Sequence, residues 1–145
     1  MSAENVELVV GLYPAPDVDF AQLVRDENRW TAWSKANAPF FHPDGESVRP
    51  GLPNGKTYTG LDGFRDMWLE WLAPWKTYRV ETEEVIDLRD RVLVLVHAFG
   101  RLEGSQGEVE NTSASLWTVR DGKIARVEFY VDRTEALKAA GLEES

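Results

Sequence analysis

Residues 76–131 read KTYRVETEEVIDLRDRVLVLVHAFGRLEGSQGEVENTSASLWTVRDGKIARVEFYV, and the alternation in this stretch decides the fold. Tyr78, Val80, Thr82, Glu84, Ile86 and Leu88 share one parity, while Arg79, Glu81, Glu83 and Asp87 share the other. Period-two patterning of this kind marks a half-buried strand. Arg89-Asp90 makes a turn, and Arg91–Leu102 reads as a second, strongly apolar strand. Gly104–Gly107 supplies a hairpin loop before a third strand over Val109–Val119. Asp121-Gly122 is a two-residue hairpin signal, leading to a fourth strand over Ile124–Val131. Consecutive antiparallel strands of about ten residues make a sheet long enough to curl.

Upstream of the meander the period is helical. Val6, Val9, Val10 and Tyr13 fall on one helix face, with Ser2 as N-cap, Glu4 in the first turn, and Pro14 and Pro16 as terminators. A second helix is expected from about Val18 to just before Pro39, its apolar stripe carried by Phe20, Leu23, Val24, Trp30 and Trp33. Phe40 to Gly60 is irregular, with Pro43, Pro50 and Pro53 and turn signals at Asp44-Gly45 and Asn54-Gly55. Short strands at Phe40–His42 and Ser47–Arg49 fit between the turns. Thr59-Gly-Leu-Asp62 then reads as a capping signal for a helix through Leu61, Phe64, Trp68, Trp71 and Leu72, ended by Pro74. Downstream of the meander, Arg133–Ala140 is a short terminal helix closed by Gly141 and Leu142. Helices first and a meander afterwards is the α+β pattern, with three helices expected over the concave face and a deep pocket between layers.

Composition bounds the function. At 145 residues, with 43% apolar and 28% charged side chains, the chain is expected to be a single domain over 1–145. It has no cysteine, which excludes a disulfide framework and a thiol nucleophile. A net charge of −9 argues against binding duplex nucleic acid. The start of the chain lacks signal-peptide character and no apolar run reaches the ~20 residues of a membrane span, so a cytoplasmic protein is expected, with no membrane partner. His42 and His97 do not form a ligand spacing, and no metal is expected. Neither a Gly-x-Ser-x-Gly elbow nor a phosphate loop is present.

Three local stretches carry a resemblance: Tyr58-Thr-Gly-Leu-Asp-Gly-Phe64, Gly100-Arg-Leu-Glu-Gly-Ser-Gln-Gly107, and Trp117-Thr-Val-Arg-Asp-Gly-Lys-Ile-Ala-Arg126 leading to Tyr130-Val-Asp132 and the terminal helix. In order and spacing the sequence resembles the SnoaL-like branch of the nuclear transport factor 2-like superfamily, over nearly the whole chain. The resemblance implies a cone-shaped, curved, mostly antiparallel sheet with a helix-lined cavity, paired into a homodimer. Its members include polyketide cyclases, ketosteroid isomerases, epoxide hydrolases, dehydratases and non-catalytic binding domains, so the fold leaves the chemistry open.

Each candidate for chemistry has a second reading. Asp132 ends the last strand near where SnoaL-like enzymes often carry an acidic residue, yet Asp132-Arg-Thr-Glu135 is also a capping box. Glu128 and Tyr130 could pair as acid/base and donor inside the cone, or face solvent or a dimer partner. His97 sits in the most apolar strand, with Phe99 on its parity, and suits proton transfer at neutral pH or a core or interface position. The epoxide-opening relatives imply an Arg-x-Asp pair, whose nearest match here, Arg101-Leu-Glu103, carries glutamate instead. Tyr13 and Tyr58 are candidate polarising phenols, or core tyrosines with their hydroxyls at a rim.

Trp30, Trp33, Trp68 and Trp71 lie on the helices expected to roof the cavity, with Trp75 just beyond. They fit both core filling and stacking on a flat ligand. The expected function is therefore binding of a hydrophobic, polycyclic or aromatic small molecule. Catalytic candidates are Asp132, His97, Glu128 and Tyr13; ligand-binding candidates are Trp30, Trp33, Tyr58, Trp68, Trp71, Phe99 and Tyr130. If there is turnover, cofactor-free acid/base chemistry is expected: cyclisation, isomerisation, hydration or dehydration. The alternative is a non-catalytic binding or dimerisation module.

Overall fold

The computed structural model describes residues 2–50 and 56–142. The expected turn at Asn54-Gly55, Pro53 before it, and the capping side chain of Ser2 lie outside the described residues. In chain order the elements are α1 (Ser2–Leu12), α2 (Phe20–Arg25), α3 (Glu27–Asn37), a 3-10 turn (Ala38–Phe40), β1 (Phe41–Val48), β2 (Thr57–Thr59) and α4 (Gly60–Leu72). The meander follows as β3 (Trp75–Asp87), β4 (Arg91–Leu102), β5 (Glu108–Arg120) and β6 (Lys123–Tyr130), and α5 (Arg133–Ala139) comes last. The fold is α+β, with a curved, unclosed six-stranded sheet ordered β2-β1-β6-β5-β4-β3.

The meander pairs as its turns dictate, and β1 is then added parallel to β6, the one parallel pairing among the described residues. Asp44-Gly45 does not separate two short strands. It lies in the irregular middle of one continuous β1, whose register against β6 jumps between Phe41 and Glu46. A Cβ on Gly45 would sit 3.0 Å from the His42 carbonyl oxygen and 3.1 Å from that of Ile124, so only glycine fits this close approach without a shift.

The helix expected from Val18 is two helices meeting at Asp26. Its extended backbone (φ −75°, ψ 118°) ends α2, and its carboxylate accepts from the amides of Asn28 and Arg29 to start α3. Four helices, rather than three, thus precede the meander, and α1, α2 and α4 all contact the sheet. Asp19 performs the same service for α2, and its Oδ1 also accepts from the Tyr78 amide at 3.0 Å, tying α2 to β3. Arg65 of α4 reaches the Val24 carbonyl at 2.9 Å, and Arg25 donates to the Leu72 carbonyl at 2.5 Å, so guanidinium groups close the ends of α2 and α4. Thr59 begins α4 without a side-chain capping bond, contrary to the capping signal read there.

Two apolar clusters lie on opposite faces of the sheet. Against α1 to α4 lie Tyr78, Val80, Val92, Val94, Val96, Ala98, Trp117, Val119, Ile124 and Val127. On the other face, Leu93, Ala114, Leu116 and Tyr130 pack on Ala136 and Ala140 around α5. An extra residue between Thr82 and Glu84 in the pairing with β4 reverses the parity of β3. Val85 therefore joins the helix-covered face, and Ile86 and Leu88 join the α5 side, correcting the single parity read along that run. In α1 the buried positions are Val9 and Leu12, while Val10 is exposed.

Candidate ligand cavity

Between the helices and the sheet lies a cavity of about 50 Å³. Trp33 from α3, Phe64 and Trp68 from α4, and Trp117 and Phe129 from β5 and β6 form its aromatic walls. The rings pack mostly edge to face: Trp68 meets Phe129 at 4.8 Å and 74°, and Phe20 at 4.7 Å and 84°. Trp33 lies nearly parallel to Phe64, at 5.9 Å and 8°. A usual small-molecule pocket holds about 300 Å³ or more, so the protein's own side chains fill most of the deep pocket expected from sequence.

A hydrogen-bonded polar cluster interrupts the apolar lining, to which the hydroxyl-bearing Ser113 and Tyr78 also contribute. Tyr13, just past the end of α1, places its phenol against the hydroxyl of Ser115 on β5. The indole Nε1–H of Trp117 is shared between the two, 3.1 Å from the Tyr13 oxygen and 3.1 Å from Ser115 Oγ. Burial pushes the Tyr13 phenol up to about 12, against the opposing effect of its hydrogen bonds to Ser115 and Trp117. At neutral pH it is a hydrogen-bond donor and acceptor, and not a base.

A second cavity of about 40 Å³ adjoins the first, sharing Trp68, Tyr78, Ser113, Ala114 and Phe129 as walls. Arg49, Trp71 and Tyr130 line its far side.

The remaining sequence candidates line neither cavity, although His97 borders a separate pocket together with Tyr13, Glu81 and Glu83. Asp132 is the N-cap of α5, its carboxylate accepting from the Thr134 amide at 2.8 Å, and it lines neither cavity. Glu128 is on the sheet face opposite the helices. It accepts from the Tyr130 phenol at 2.7 Å and lies 3.7 Å from Arg126. Burial first, and then this carboxylate, hold the Tyr130 phenol well above its ordinary range. His97 alternates with the helix-facing Val96 and Ala98, stacks on Phe99 at 4.6 Å, and lies 4.0 Å from Glu110. Phe99 is covered from outside by the Arg79 guanidinium at 4.1 Å, away from the cavities. Tyr58 on β2 donates to Glu70 at 2.7 Å. Trp30 is buried behind Trp33, stacked on it at 5.1 Å, and Trp75 packs on Tyr78.

The sequence reading missed Ser115, Trp117, Phe129 and Arg49. The first three stand on β5 and β6 at positions of one parity once the sheet faces are known, and that alternation was the available signal.

A profile of the SnoaL-like domain matches residues 20–127 of the chain. The chain belongs to the SnoaL-like family. The fold of this SnoaL-like domain recurs in solved structures of low identity. A protein from Jannaschia sp. CCS1, assigned as a SnoaL-like polyketide cyclase, is 18% identical with a TM-score of 0.69, over 99% of this chain and 95% of that one. TerC, co-crystallised with polyporic acid, is 22% identical with a TM-score of 0.64, over 95% and 98%. A ketosteroid isomerase-like protein from Catenulispora acidiphila DSM 44928, in complex with trimethylamine, is 20% identical with a TM-score of 0.57, over 90% and 95%. Among curated proteins, none matches this sequence.

Proposed function

We propose that this SnoaL-like domain binds a small, flat, apolar molecule in the aromatic cavity, gripping one oxygen of it through Tyr13. The observation that carries this is the lining itself: aromatic walls around the hydroxyl cluster of Tyr13 and Ser115, with Ser113 and Tyr78 as the other hydroxyl-bearing wall residues. Apolar walls with a few convergent polar groups are what small-molecule sites have in common. Binding is favoured over proton transfer because no carboxylate or imidazole lines the cavity among the described residues. Tyr13 could polarise a carbonyl, but within this cavity no base accompanies it: His97, Glu81 and Glu83 share with Tyr13 only a separate pocket, and none of them lines the aromatic one.

A benzene-sized guest needs on the order of 150 Å³. Trp68 is the largest of the side chains that border both cavities, so its displacement is the movement that makes room. The test is titration with toluene and with benzaldehyde, read by tryptophan fluorescence and calorimetry. Saturable one-site binding, tighter for benzaldehyde and weakened by Phe64→Ala, is expected. Absence of saturable binding by either compound overturns the reading.

A further inference from the structure

Two hydrogen-bond donors in the second cavity have no partner. Arg49 Nε and Trp68 Nε1 are fully buried, and neither is hydrogen-bonded among the described residues. A buried donor left unsatisfied costs about 1–3 kcal/mol, and more when it carries charge, so native proteins seldom keep one without a use. Here both line the same space. We propose that the second cavity is the acidic-group subsite of the ligand site, and that the preferred ligand is an aromatic carboxylate. This rests on the reading of the first cavity as the place for the ligand's ring.

The charge balance around Arg49 favours an anion. Its outer nitrogen NH2 lies 3.5 Å from Glu70, a long contact. Glu70 is also shared, accepting from the Tyr58 phenol at 2.7 Å and lying 3.8 Å from Lys56. Among the described residues no carboxylate lines the second cavity, whose other walls include Met67, Trp71, Phe129 and Val131. Taking an anion into such a space costs a great deal unless unsatisfied donors are at hand, and two wall residues, Arg49 and Trp68, carry one each. A neutral acceptor would fill the same hydrogen bonds without answering the guanidinium charge. The ring end follows from adjacency, because Trp68 and Phe129 wall both cavities: a molecule with its carboxylate on Arg49 and Trp68 projects its body into the aromatic slot.

The probes are benzoate and its neutral isostere benzamide, titrated at pH 7 by calorimetry. The indole resonance of Trp68, assigned by its loss in Trp68→Phe, is followed in parallel. Benzoate is expected to bind at least tenfold more tightly than benzamide and to move the Trp68 indole resonance. Arg49→Gln is expected to erase that preference by weakening benzoate far more than benzamide, and Trp68→Phe to reduce it severalfold. Thermal melting checks that each variant is folded. Should Arg49→Gln not fold, the benzoate-to-benzamide ratio of the unaltered protein and of Trp68→Phe decides the matter. Equal affinity for the two probes, or an Arg49→Gln variant that keeps the preference, overturns the subsite and assigns the cavity to structural water alone. If neither probe binds, and toluene and benzaldehyde also fail, the reading of the first cavity falls with it.

Discussion

The indole Nε1 of Trp117 lies 3.1 Å from the phenol oxygen of Tyr13, joining residues 104 positions apart inside the aromatic cavity. With Ser115 alongside, this pair forms a hydrogen-bonded polar cluster in a mostly aromatic and aliphatic lining. Replacing Tyr13 by phenylalanine removes the phenol but keeps the ring. A net hydrogen bond contributes about 1 kcal/mol. Tyr13→Phe is therefore expected to weaken benzaldehyde binding about fivefold while leaving toluene affinity unchanged, measured by calorimetry.

All four tyrosines are held above their ordinary value of about 10, with burial as the first cause at each. A phenol whose folded-state value is raised keeps its proton longer than in the unfolded chain. Its contribution to stability is complete below pH about 10 and is lost as pH rises through the folded value, which for Tyr13 is about 12. Tyrosinate absorbance should thus lag behind that of free tyrosine between pH about 10 and 12. Denaturant midpoints should fall across the same window and stay level from pH about 7 to 9 as far as these groups are concerned. Tyrosinate appearing near pH 10 in the folded protein would contradict the buried phenols.

Trp75 lies across Gly100 on the neighbouring strand, and a Cβ at Gly100 would stand 2.4 Å from Trp75 Cε3 and 2.5 Å from Cζ3. Both are ring atoms of a buried indole on the side covered by the helices, so the clash is not relieved by turning a flexible chain end. Gly100→Ala is expected to cost about 1–3 kcal/mol, the usual range for overpacking. A double variant with Trp75→Leu should lose less than the sum of the single changes, because the smaller side chain makes room. Urea unfolding of the four proteins measures this.

Asp132 caps α5 through the Thr134 amide, outside both cavities. Asp132→Ala should lower stability by about 1 kcal/mol and leave ligand affinity unchanged, while Asp132→Ser retains most of the stability. A loss of binding with stability intact would instead return Asp132 to the ligand site.

Much of this molecule is legible in local sequence. Asp121-Gly122 and Gly104–Gly107 set the hairpins, since two-residue turns and glycine loops admit few backbones. Gly141 adopts φ +79° and closes α5 with the Leu142 amide bonded to the Leu137 carbonyl, as a C-terminal glycine followed by leucine announces. The break at Asp26 was also local in origin, because an Asx side chain can cap the next helix, but an apolar stripe running across it concealed the stop.

What only the tertiary structure decided is which faces meet. One unpaired residue near Glu83 turns Val85 inward and Ile86 outward, and a period-two pattern cannot reveal where such a slip occurs. The parallel seat of β1 beside β6 depends on contacts far apart in sequence. The carboxylates that looked catalytic ended on the face away from the helices or at a helix cap, where charge stays hydrated or paired. The sequence by itself determined a SnoaL-like sheet roofed by aromatic helices, because periodicity and turn chemistry act over a few residues. Folding decided that Tyr13, Ser115 and Trp117 share one cavity and that Arg49 and Trp68 face the next, because side-chain convergence is a property of packed faces.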